Sequence, residues 1–150
     1  MAILKAQRGA QYPLFKEFVF NYNDTAIDSV ALASKSFGSN FNDNIVFDGI
    51  SLPVGAVIVG GELIVETAFV GPTAATVQAG IAGNTAAYLA ATSLLATGRT
   101  PLLLTSPLLS NGGADVRLTL ATTVANATAG KARVRIQYTL DNRTQEVSAT

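Results

Sequence analysis

A period of two runs through most of this chain, and it excludes most architectures before composition is considered. Between Phe15 and Tyr22, the residues Phe18, Phe20 and Tyr22 share one face while Glu17, Val19 and Asn21 share the other. Between Gly61 and Val70 the inward set is Leu63, Val65, Thr67 and Phe69, with Glu62, Ile64, Glu66 and Ala68 facing away. Val116, Leu118 and Leu120 alternate with Arg117 and Thr119 between Asp115 and Ala121. The cleanest run is Lys131 to Leu140, where Val134, Ile136, Tyr138 and Leu140 oppose Arg133, Arg135, Gln137 and Thr139. Successive side chains of a strand point to opposite faces, so these runs read as half-buried strands.

Weaker strand signals lie at residues 25–33, 44–50, 76–81 and 100–105, separated by turn chemistry such as Gly38-Ser39-Asn40, Gly71-Pro72, Gly83-Asn84 and Asn111-Gly112-Gly113. Gly60-Gly61 reads as a bulge within one long strand. One segment breaks the pattern. Residues 85–97 are Ala-rich, with Tyr88, Leu89, Leu94 and Leu95 at near-helical spacing and Gly98 to close them, which predicts a short helical insert. About eight strands in 150 residues predict a single all-β domain. The candidates are a barrel or a β-sandwich, with a jelly-roll-like sandwich favoured because it manages eight strands as paired Greek keys. The expected organisation is an N-terminal arm over residues 1–13, the sandwich over 14–140 and a polar C-terminal tail over 141–150.

Chemistry is constrained by what is missing. The chain contains neither His nor Cys. That removes the commonest general base, the commonest metal ligand, thiolate metal sites and any Ser-His-Asp or Cys-His centre. The expectation is a protein that is not an enzyme and that uses no cofactor and no metal. Glu62 and Glu66 share a strand face, but residues four apart on a strand are roughly 13 Å apart, too far for a glycosidase pair. Gly130-Lys131 lacks the Gly and Ser/Thr of a phosphate loop, since Ala125 and Ala132 occupy those positions. Asn42-Asp43-Asn44 with Asp48 offers oxygen ligands at a spacing that matches no calcium loop.

Ten basic and ten acidic residues cancel, and charged residues are only 13% of the chain. Zero net charge gives no long-range pull toward nucleic acid or an anionic membrane. No apolar run is long enough for a membrane span or a secretory signal. So little charge on a folded domain reads either as a surface covered by a partner or as a well-filled sandwich with a Thr/Ala/Asn exterior. Lys131, Arg133 and Arg135 form a basic row on one strand face, joined by Arg117 if those strands pair. Functionally the row is a docking stripe for an acidic protein surface; structurally it is a solvated face balanced by Glu62 and Glu66.

Several stretches together resemble a known group. They are Asp48-Gly49-Ile50-Ser51-Leu52-Pro53-Val54-Gly55-Ala56-Val57-Ile58, Gly60-Gly61-Glu62-Leu63-Ile64-Val65-Glu66-Thr67-Ala68-Phe69, Tyr88-Leu89-Ala90, Gly98-Arg99-Thr100, and Ala127-Thr128-Ala129-Gly130-Lys131-Ala132-Arg133-Val134. Their texture and turn order over roughly residues 45–140 resemble the cement or decoration proteins of tailed-bacteriophage heads. The resemblance implies a jelly-roll-like homo-oligomer, dimer or trimer, bound to the major capsid protein on the outer surface of the virion and stabilising the capsid lattice. It transfers no contact residues. From pattern alone, the expected contacts are Lys5, Arg8 and Arg143 in the two arms, with Lys131, Arg133 and Arg135 in the basic row. The alternative is a carbohydrate- or receptor-binding sandwich of a phage tail or fibre. That reading lacks Trp, and leaves Tyr12, Tyr22, Tyr88, Tyr138 and a few Phe as platforms.

Overall fold

The alternating runs become strands in a computed structural model, which describes residues 13–39, 44–104 and 116–140. Ten strands are present among them: β1 (Leu14–Asn21), β2 (Thr25–Ile27), β3 (Ser34–Ser36), β4 (Ile45–Ile50), β5 (Ala56–Val70), β6 (Ala74–Ile81), β7 (Asn84–Ser93), β8 (Gly98–Pro101), β9 (Val116–Thr123) and β10 (Ala129–Leu140). Eight of them make two four-stranded sheets, ordered β1-β10-β5-β8 and β4-β9-β6-β7, and β2 with β3 makes a separate hairpin. Every pairing is antiparallel.

Setting the hairpin aside, each strand of the first half pairs with its counterpart from the second: β1 with β10, β4 with β9, β5 with β8, and β6 with β7. Contacts of β10 with β5 and of β9 with β6 then join these ribbons into the two sheets. The sheets share one core. Leu63, Val65, Val134 and Ile136 enter it from the first sheet, and Ile45, Val77, Leu118 and Leu120 from the second. Aromatic rings tie them at one side: Phe18 of β1 lies 5.3 Å from Phe47 of β4, and Phe37 lies 5.6 Å from Phe20 and 5.1 Å from Phe47. Ring pairs at these separations contribute beyond the area that they bury.

The expected helical insert is absent from the described residues. Residues 84–93 form β7 instead, and the reason is a register irregularity. Between its pairings with Ile81 and Ala79, β7 advances from Asn84 to Leu89 while β6 advances by two residues. The bulge brings the neighbours Tyr88 and Leu89 both into the core, so the apolar spacing mimics a helix. Leu94 is then drawn between strands, donating to the Ala75 carbonyl at 2.8 Å and accepting from the Phe69 amide at 2.9 Å.

The Gly60-Gly61 bulge is present: Gln137 faces Gly60 and Tyr138 faces Ile58, leaving Val59 as the extra residue in a continuous β5. A second shift, between the pairs Lys131/Thr67 and Ala132/Val65, makes Glu66 an extra residue and leaves Thr67 exposed rather than inward; Phe69 restores the buried parity. The two strands beyond the expected eight are β7, in place of the helical insert, and β3, which follows the weak 25–33 signal; of that signal only Thr25–Ile27 is strand. Most of the N-terminal arm and all of the 141–150 tail lie outside the described residues.

Candidate functional site

Lys131, Arg133 and Arg135 stand at every second position of β10, a central strand, and therefore share the outer face of the first sheet. Carboxylates flank them on both sides. Arg135 bonds Glu17 of β1 at 2.6 Å and lies 3.6 Å from Glu62 of β5. Arg133 bonds Glu17 at 3.3 Å and also pairs with Glu66, which meets Lys131 at 3.0 Å. On the far side Arg99 of β8 donates to Glu62 at 2.9 Å through its Nε. This hydrogen bond, against the opposing effect of desolvation, holds the Glu62 carboxyl below its usual range and raises the Arg99 pKa. The basic row is thus a lattice of four cations and three carboxylates across four strands, the balanced face of the two readings above.

Arg117 does not join this row. Its strand, β9, pairs with β4 and β6 in the other sheet, and Arg117 bonds Asp48 at 2.9 Å there. Lys5, Arg8 and Arg143 lie outside the described residues. So do Asn42 and Asp43 of the candidate calcium ligands, while Asp48 is engaged by Arg117. Among the described residues no group of three or more acidic side chains is placed to hold a metal ion. Gly130 opens no helix; it lies within β10 and accepts from the Tyr22 amide at 3.0 Å.

A constellation that sequence reasoning missed sits on the β2–β3 hairpin. Asp28 is 1% exposed and Lys35 is 9% exposed, and they pair at 3.2 Å. The Asp28 carboxylate also accepts the Val30 and Ala31 amides at 2.7 Å each and the Val46 amide at 3.2 Å. Burial alone would raise its pKa; the three amides and Lys35 outweigh that and bring it from 3.8 to about 2. Ser29 donates to the Val46 carbonyl through its amide at 2.7 Å and its hydroxyl at 2.8 Å. The hairpin therefore caps the otherwise open edge of β4 at Val46, one of the ways natural sheets blunt an edge. The end of β2 and the turn after it present Ile27, Val30 and Leu32 at 69%, 76% and 80% exposure, with Leu32 in the left-handed region at φ 54°. The available signal was Asp28 just ahead of an apolar turn, since Asp side chains bond backbone amides two and three residues on.

The opposite side of the sandwich is open. There β7 and β8 are the edge strands of the two sheets, joined by the Leu103 amide donating to the Tyr88 carbonyl at 2.9 Å. Between them lies an apolar recess of about 260 Å³, lined by residues including Ala87, Tyr88, Leu89, Ala90, Pro101 and Leu103. Burial raises the Tyr88 phenol pKa.

These features define a class: a two-sheet antiparallel sandwich with a paired charge lattice on the outer face of one sheet, an exposed apolar turn at one side and an apolar recess at the other. The chain is similar to a chain of the solved cyanophage Pam1 capsid asymmetric unit, with a TM-score of 0.58 and 24% identity over 93% of this chain and 94% of that one. That likeness is one of fold. No family model and no curated protein matches the sequence.

Proposed function

We propose that this chain is a structural virion protein with a jelly-roll fold, a cement protein that binds the outer surface of a phage capsid. It bridges adjacent capsomers as a homo-oligomer and stabilises the major capsid protein lattice, with no substrate turnover. The observation that carries this reading is the ribbon pairing β1–β10, β4–β9, β5–β8 and β6–β7, an eight-strand jelly-roll winding. It is supported by the likeness in fold to a chain from a phage capsid unit, which spans nearly the whole of both chains.

The physics of the surface agrees. A cement protein gains strength from area and repetition rather than from a reactive group, and each standard interface buries roughly 1,600 Å². The charge lattice on the first sheet is internally paired, so it can be covered without stranding isolated charges, whose burial is costly. The test is to mix purified protein with capsids lacking it and to sediment and heat them. Co-sedimentation at a saturating ratio and a higher rupture temperature are expected. No binding and no thermal shift would refute the reading, and saturable glycan binding in its place would favour a tail or fibre module.

A further inference from the structure

We infer that two copies of this chain join edge to edge through β1, antiparallel about a two-fold axis at Glu17, so that their first sheets become one continuous sheet. This rests on the homo-oligomer of the proposed function and names its contact, but it is read in the purified chain without any capsid, so the two can fail separately.

An edge strand presents a row of unpaired amides and carbonyls, which natural sheets cover or blunt. Three edges of this sandwich are dealt with. Ser29 caps β4 at Val46, the Leu103 amide ties the chain beyond β8 to β7, and β8 itself is only four residues long. The remaining edge is β1, which is eight residues long. The direction of its backbone groups is fixed at its end. The Asn21 amide donates to the Asp24 carboxylate at 2.7 Å and the Asn21 carbonyl accepts from the Asp24 amide at 3.1 Å, while the Tyr22 amide turns to Gly130 of β10. Alternate residues of a strand bond to the same side. Phe15, Glu17 and Val19 therefore direct their amides and carbonyls away from β10. None of the three has a backbone partner on that side among the described residues, and all three are exposed.

The charges of β1 do not guard this edge. Lys16 donates to the Ser51 carbonyl, and Glu17 is held by Arg133 and Arg135. What remains is apolar: Phe15 and Val19, 55% and 43% exposed, on either side of Glu17. The open stretch is also bounded. Pro13 has no amide to offer at one end, and Asp24 occupies Asn21 at the other. A second β1 matches this window in one register. With Glu17 opposite the partner's Glu17, Phe15 faces the partner's Val19, and Val19 faces the partner's Phe15. Each of the three residues then donates one bond and accepts one, so six close across the axis. A slide of two residues one way sets Phe15 against an Asn21 already occupied; the other way sets Val19 against Pro13. The Phe–Val pairs are favourable cross-strand neighbours. The two carboxylates that meet on the axis are each held by two guanidiniums of their own copy, which offsets their repulsion. Edge pairing buries less than a standard interface, so a dissociation constant on the order of 100 μM is expected.

Two double variants test this at exposed positions. Phe15→Lys/Val19→Lys and Phe15→Glu/Val19→Glu each set like charges opposite one another across the axis, and each alone is expected to be monomeric. Mixed one to one, they set opposite charges at those positions and are expected to recover a dimer. Sedimentation velocity from about 10 μM to about 1 mM brackets the expected constant. The wild-type chain is expected to pass from monomer to dimer across that range. Amide hydrogen exchange at Phe15, Glu17 and Val19 is expected to slow severalfold with it, while that at Lys16 and Phe18, which face β10, stays unchanged. Should either charged variant lose its β-sheet circular dichroism, Val19→Pro takes its place. Its ring removes an amide that nothing in the same chain uses, and dimerisation at least tenfold weaker is expected. A wild-type chain that stays monomeric throughout, a dimer that persists in the variants, or charged variants that do not complement each other would overturn the inference. Protection of the three edge amides that arises only on capsids would also overturn it, in favour of a strand from another protein.

Discussion

Lys35 and Asp28 form an ion pair at 3.2 Å in which neither side chain retains more than a tenth of its exposure, on a hairpin three residues deep. The pair is unequal. Asp28 has three backbone amides besides Lys35, and removing it strands those donors as well as the Lys35 ammonium. Asp28→Ala is therefore expected to cost about 3 kcal/mol. Lys35→Met is expected to cost less, since the carboxylate keeps its amides. Urea unfolding of both variants checks the order.

The same carboxylate sets a pH dependence. Its folded pKa, about 2, lies below its ordinary 3.8, so its contribution is fully present above about pH 4 and is lost as pH falls through about 2. The drop corresponds to about 2 kcal/mol. Glu62, lowered by its hydrogen bond to Arg99, acts in the same direction. Stability measured from neutral to acid pH should decline across that window, and Asp28→Asn should flatten most of the decline.

The charge lattice gives a prediction about salt. Glu17 serves both Arg133 and Arg135 at partly exposed positions, so Glu17→Gln should cost only about 1 kcal/mol. Because the lattice is close to neutral, the proposed capsid binding should weaken by less than about tenfold between low and physiological salt. A docking stripe that worked by its positive charge would show a steep dependence, readable by sedimentation at several ionic strengths.

Gly130 and Gly83 both have positive φ, at 149° and 92°, yet they should respond differently to alanine. A Cβ on Gly130 would fall 2.5 Å from the Phe69 ring, whereas one on Gly83 meets nothing within 4 Å. Gly130→Ala is expected to cost about 3 kcal/mol, combining overpacking with backbone strain, and Gly83→Ala about 1 kcal/mol. Thermal melts of the two variants distinguish them.

The long strands were legible because both faces of each alternation have somewhere to go. Val134, Ile136 and Tyr138 are buried, and Arg133 and Arg135 face outward, as the spacing of residues 131–140 predicts. Glu62 and Glu66 were also legible as partners of the basic row. Glu17 was not, because pairing of β1 with β10 joins residues more than a hundred positions apart. The β7 segment misled for a local reason: bulges shift the side-chain parity, and adjacent buried residues then imitate a helix turn. Arg117 was misplaced because a turn joining β9 to β10 reads as a hairpin, whereas the chain crosses there from one sheet to the other. The Asp28 cap was hidden because its value depends on Val46, eighteen residues on, and on a Lys35 that composition alone would leave in solvent.

In the proposed role, this chain covers the outside of a capsid shell. The most direct measurement is an image reconstruction of capsids lacking the protein, taken before and after its addition. New density of sandwich size is expected on the outer surface, bridging neighbouring capsomers. Unchanged shells at saturating protein, or density confined to the tail, would contradict it.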